Sequence, residues 1–226
     1  MVNLENMNRY SDKKKQVKLK FYELFWIFVL GSAIGFLVET FWCYINLGVI
    51  ESRKGLIYGP FTPVYGLGAV IFTSIFNNIR TSNKFIIFIY SAFIGGIFEY
   101  ICSLLQEKIF GTISWEYSDM PLSIGNGRTS LIYCIFWGLL GVFFINIIYP
   151  FFCKIIYSLN QEIMKILTTC LLIFIVFDVI ISCAAVRRQT ERRQGVEPNN
   201  SITLFLDQKY TDDYLKKVYP NMKFTR

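Results

Sequence analysis

Five stretches of this chain stay apolar for the length that a helix needs to cross a bilayer: about 21–44, 60–79, 85–105, 130–152 and 166–186. A hydrocarbon core takes about 20 residues at about 1.5 Å rise each. Backbone in lipid must satisfy its own hydrogen bonds, so runs of this length fold as helices. The expected fold is all-α: a polytopic transmembrane helical bundle of about five spans, built by residues 21–186. A basic cytoplasmic N-terminal tail, 1–20, precedes it, and a polar C-terminal tail, 187–226, follows. Composition agrees, with 54% hydrophobic and 17% charged residues, where a soluble domain carries roughly a quarter charged. No internal repeat is evident in the pattern of the runs.

Histidine is absent, which removes the commonest general base and any Ser-His-Asp triad. The net charge of +7 does not point to nucleic acid, because its positive residues flank the apolar body at both chain ends. Arg9, Lys13, Lys14, Lys15, Lys18 and Lys20 precede the first run, which by the positive-inside rule holds the N-terminus in the cytoplasm. Arg80 and Lys84 at the short 77–84 hairpin, and Lys154 and Lys165 in the fourth link, fit the same side. The tail conflicts with this count: five spans place it outside, yet it opens with Arg187, Arg188, Arg192 and Arg193. An even number of spans, with 60–79 re-entrant because Pro60, Pro63, Gly66 and Gly68 weaken its helix, is the alternative. The first run is longer than a signal-peptide core and has no small-residue cleavage site, so it is read as a retained anchor. The six cysteines lie in or beside apolar runs without C-x-x-C spacing and read as buried apolar residues.

Ionisable residues inside apolar runs carry the functional information, since an ionised group at the bilayer centre costs at least ~2.5–3.5 kcal/mol on insertion scales. Glu39, Glu99, Asp178 and, at the entry of the first run, Glu23 qualify; helices one, three and five all run outward, so Glu39, Glu99 and Asp178 share the outer half of the membrane. Arg53 and Arg128 in the two outer links are their candidate counter-ions. The segment from Arg53 through Tyr58 to Gly66 breaks regular helix, and free amides beside a guanidinium suit an anionic group. Trp115 lies in the second outer link, and Asn126 and Arg128 precede the fourth helix, where an N-terminus favours anions. Ion pairs that only fix helix packing, and an aromatic belt at the interface, are the plainer readings of the same residues. The expected substrate-binding set is Glu39, Arg53, Tyr58, Glu99, Trp115, Asn126, Arg128 and Asp178. Catalytic and metal-binding residues are not assignable, and no cofactor is expected.

At these residues the chain resembles the bacterial membrane-protein family labelled putative ABC-transporter type IV, or ABC transporter permease. The resemblance rests on the Glu39 region, on Arg53-x-Gly55-x-x-Tyr58-Gly59-Pro60-Phe61-x-Pro63-x-Tyr65-Gly66, on Glu99-Tyr100 and Trp115-x-Tyr117, and on Asn126-Gly127-Arg128 and Phe136-Trp137-Gly138. It implies a multi-pass transport component of the cell membrane, with no substrate or catalytic residue to carry over. The chain has no G-x-x-x-x-G-K-[ST] phosphate loop, so a separate ATPase subunit would supply ATP hydrolysis. The expected function is a transporter or permease subunit in the bacterial cytoplasmic membrane, with an outer-face polar site for an unknown solute or lipid. Two alternatives stay open. One is an intramembrane enzyme acting on a lipid or isoprenoid-linked substrate; the other is a membrane assembly or scaffold protein. The expected surroundings are the lipid bilayer and the ATPase, without nucleic acid.

Overall fold

The computed structural model describes residues 18–79, 81–158 and 160–225. Arg9, Lys13, Lys14, Lys15 and Arg80, used above for orientation, lie outside the described residues.

Helix α1 spans Phe21–Leu47, α2 Pro63–Ile79 and α3 Lys84–Phe110. Helix α4, Leu131–Phe143, continues through a wider π-helical turn, Phe144–Ile148, into α5, Tyr149–Ser158, and α6 spans Gln161–Arg193. The π turn falls just before Pro150, whose ring would clash with the carbonyl four residues back in a regular α-helix. The bundle is all-α, as expected. Four of its helical stretches are long and apolar enough to cross a membrane: Phe21–Leu47, Lys84–Phe110, Leu131–Ser158 and Glu162–Arg193. The second expected stretch, 60–79, gives a helix shorter than its apolar run, because residues 60–62 stay irregular and Pro63 opens α2, where a proline lacks only an amide that needs no partner.

The ends follow from local chemistry. The Lys20 amide donates to Glu23 Oε2 at 2.8 Å, Asn83 accepts from Phe85 N at 2.9 Å, and Ser130 and Asn160 cap α4 and α6. Each cap satisfies amides that a helix start leaves free. Gly48 and Gly111 close α1 and α3 in the left-handed region, at φ 70° and 65°.

Two antiparallel hairpins make the core. In α1–α2, Gly66 sits against Phe28 and Ser32, and Gly35 against the Tyr65 ring; in α3–α4, Gly138 sits against Phe88 and Gly95 against Trp137. Small residues at these crossings let the helices approach closely, which is how helices associate where lipid removes the hydrophobic drive. The hairpins meet along α2 and α4, where Phe72 touches the rings of Trp137 and Phe144. Helix α6 is tied to α1 by Trp26 Nε1 donating to Thr168 Oγ1 at 2.8 Å.

Helix α6 runs seven residues past the expected end of its span, to Arg193, and the tail then folds back. Helices α7, Ser201–Lys209, and α8, Asp212–Val218, are followed by strand β4, Lys223–Phe224. Strand β4 pairs with β1, Thr112–Ile113. Within the second link, β2, Ser123–Ile124, pairs with β3, Thr129–Ser130. Ser52 donates to the Val218 carbonyl at 2.8 Å and Asn221 to that of Ser114 at 3.0 Å. The links 48–62 and 111–130 and the tail therefore form one cap at one end of the bundle.

Candidate functional site

Glu39 and Glu99 converge. Glu39, half-buried late in α1, accepts from the Tyr65 hydroxyl at 2.5 Å. Glu99, 6% exposed late in α3, accepts from Tyr117 OH at 3.1 Å and Thr129 Oγ1 at 2.7 Å. Tyr65, hydrogen-bonded to Glu39, lies 6.2 Å by ring centroid from Trp137, which packs over Gly95 beside Glu99. Tyr133 stacks on Tyr117 at 4.0 Å between ring centroids. Burial first, and the nearby Glu99 carboxylate second, raise the Tyr117 pKa, which keeps its hydroxyl protonated as a donor. Helix turns place these groups: Gly35 and Gly95 lie one turn before Glu39 and Glu99, and their lack of side chains admits Tyr65 and Trp137 alongside.

Neither expected counter-ion reaches these acids. Arg128 pairs with Glu107 and donates to Ser103 Oγ at 3.4 Å, and Arg53 pairs with Glu51 at 3.4 Å and touches Cys43 Sγ at 3.0 Å. Among the described residues no Lys or Arg forms an ion pair with Glu39 or Glu99. Two carboxylates ringed by hydroxyl donors and lacking a base can hold a proton or a cation. Ionised and empty, a buried carboxylate would be costly.

Asp178 belongs elsewhere. It is fully buried on α6, and its Oδ1 accepts from the Tyr58 amide at 3.0 Å and from Ser182 Oγ at 3.2 Å. Ser182 in turn accepts from the Ile57 amide at 2.9 Å. The free amides expected around Tyr58 are thus satisfied by α6 rather than offered to an anion. The Tyr58 hydroxyl pairs with that of Tyr210 on the tail at 2.9 Å.

The remaining expected residues serve the second link. Trp115 Nε1 donates to the Arg128 carbonyl at 3.1 Å, which fixes the backbone that presents Arg128. Asn126 is exposed at the tip of the β2–β3 turn with φ 57°, between Gly125 at 64° and Gly127 at 78°. Asparagine tolerates that left-handed backbone, so the turn explains it without a ligand. Beside Arg128, an open cleft of about 980 Å³ lies between the ends of α3 and α6, with Lys108, Arg187 and Glu191 among its lining. Among the described residues no group of three or more His, Cys, Asp or Glu stands close enough to hold a metal ion.

Sequence reasoning missed Tyr65, Tyr133 and Thr129 as partners of the acids. Tyr65 stood inside the Arg-Gly-Tyr-Gly-Pro motif. Thr129 had no signal beyond its place beside a helix cap.

No curated protein and no solved structure matches the chain. The family model described as putative ABC-transporter type IV matches residues 26–183, a stretch that holds both hairpins and both converging glutamates, and the chain belongs to that family.

Proposed function

We propose that this membrane protein of transporter kind is a permease-like subunit whose working site is the Glu39–Glu99 pair, which takes up a proton or a cationic group as part of moving an unidentified solute or lipid. The observation that supports this is the convergence of two intramembrane carboxylates with hydroxyl donors and no base among the described residues. A counter-charge supplied by the protein would make the pair structural; its lack leaves the charge for a ligand. The N-terminus lies in the cytoplasm of a bacterial cell and the cap faces outward. The tail arginines stand against this orientation, but the basic flank of the first helix usually dominates, and Arg188 and Arg192 are engaged by Asp207.

ATP hydrolysis belongs to a separate subunit, docked at the end opposite the cap, where the α5–α6 turn carries Lys154, Glu162 and Lys165. Gentle purification from the native membrane followed by mass spectrometry tests this: a stoichiometric ATPase partner is expected, and a chain that purifies alone sinks the permease reading. The cleft beside Arg128 favours one second reading, an enzyme acting on an anionic lipid. Metal-dependent product formation by the purified chain alone would establish that instead.

A further inference from the structure

Residues 25–39 and 85–99 share Phe25/Phe85, Ile27/Ile87, Phe28/Phe88, Ile34/Ile94, Gly35/Gly95 and Glu39/Glu99 at an offset of 60 residues. Residues 66–75 and 138–147 share Gly66/Gly138, Leu67/Leu139, Val70/Val142, Phe72/Phe144 and Ile75/Ile147 at an offset of 72. Apolar helices rich in Phe and Ile match by composition alone, so the weight falls on the contacts. These transform under the same two offsets. Gly66 against Phe28 becomes Gly138 against Phe88, Gly35 against Tyr65 becomes Gly95 against Trp137, and Gly31 against Ala69 becomes Gly141 against Ser91 with the small residues exchanged. The expectation of no repeat is therefore corrected: links of unequal length change the offset between the first helix and the second, and a search at one fixed period misses it.

Matching residues also touch each other. The Tyr65 and Trp137 ring centroids lie 6.2 Å apart, and those of Phe72 and Phe144 6.4 Å apart. Equivalent residues in mutual contact lie beside a two-fold axis. Because α2 and α4 run in the same direction, that axis lies along the helices, as in the parallel repeats that recur in transporters.

We infer that α1–α2 and α3–α4 are two copies of one helical hairpin, and that the carboxylate site is their shared joint, one glutamate from each copy, opened and closed as one hairpin moves against the other at the α2–α4 contact. The carboxylate role rests on the function proposed above; the moving part is added here. Contacts inside each copy are set by glycines whose added Cβ would strike the backbone of Phe28 or of Phe88, so each hairpin resists sliding. The joint is instead made by aromatic rings at 6.1–6.4 Å, which can shift past one another without a backbone clash. The copies differ in one useful respect: Glu99 is buried under two hydroxyls, whereas Glu39 is half-buried under one, so ligand enters from the first copy's side.

Leu37, Leu67, Ile97 and Leu139 are all exposed on the bundle surface and match one another at the same offsets. Encoded azide-bearing residues at these positions take spin labels while the native cysteines stay in place, and electron–electron resonance on the full chain in lipid then reads the distances. The pairs 37–67 and 97–139 are expected to give one common, narrow distance, unchanged by E39Q with E99Q, while the pair 67–139 shifts in that double variant. Unequal distances within the two copies, or a 67–139 distance that the double variant leaves unmoved, overturns the inference. The isolated chain suffices for this, so the two readings fail separately: an ATPase partner with an immobile joint keeps the permease and overturns the joint, and a mobile joint in a chain that purifies alone does the reverse.

Discussion

The joint between the hairpins and the clamp that holds the tail are both built around acids, and they treat them oppositely. In the clamp Asp207 is bidentate to Arg188, at 2.9 Å through both oxygens, and Arg192 bridges Asp207 and Asp212 at 2.6 Å each. In the joint, among the described residues, Glu39 and Glu99 meet neutral donors: hydroxyl groups and, at Glu99, the Trp137 indole. A carboxylate matched by guanidinium groups has its charge consumed by the fold. A carboxylate left to neutral donors keeps its charge available, at a cost in stability that a structural role would not explain.

Three measurements test this contrast. The largest effect is expected at Arg188, whose side chain is 2% exposed. Arg188→Ala leaves Asp207 to Arg192 alone and frees the Val196 carbonyl, and should cost roughly 2 kcal/mol, within the range for lost hydrogen bonds to a charged group. The loss should appear as a lower midpoint in thermal unfolding in detergent. A midpoint within a degree of the wild type would show that the clamp does not hold the tail. Next, E39Q with E99Q should leave the same midpoint unchanged or raise it, since an uncompensated charge is removed, while any cation- or proton-dependent transport measured in liposomes at equal protein abundance is lost. A fall in the midpoint comparable with that of Arg188→Ala would make the joint structural and erase the contrast.

The smallest effect concerns pH. The hydrogen bond from Arg188 first, and Arg192 after it, hold the Asp207 carboxyl below its ordinary range. A group whose pKa is depressed on folding contributes stability that is present above the unfolded value, about 3.9, and is lost as pH falls through the folded value. Amide exchange over α7 and α8 should therefore stay protected from neutral pH to about 4 and rise only on further acidification. Fraying at pH 6 would mean that the clamp is not what docks these helices.

Much of the bundle was legible in the residues, and the reasons differ by region. Run length located α1, α3, α4–α5 and α6, because lipid leaves an apolar backbone of that length no other fold. The prolines marked the irregular stretch before α2. The tail was not legible as a folded cap: Leu206, Tyr210 and Leu215 bury against Ala185 and against Ile57, which lies in a different link far back along the chain, and periodicity does not report such partners. At the site, cost alone singled out Glu39, Glu99 and Asp178, but depth could not say which of them share a neighbour.

Residue order was enough for the class, an all-α membrane bundle, and for singling out the acids within apolar runs, because hydrophobic length and the cost of burying charge are local properties of the chain. Only packing shows that Glu39 and Glu99 flank one Tyr65–Trp137 contact, that Asp178 accepts from the Tyr58 amide, and that Arg53 and Arg128 pair with other acids. Those outcomes depend on how each helix is rotated about its axis. Rotation is fixed by where Gly35, Gly66, Gly95 and Gly138 let a neighbouring helix approach, and a glycine specifies a close contact without naming the residue that fills it.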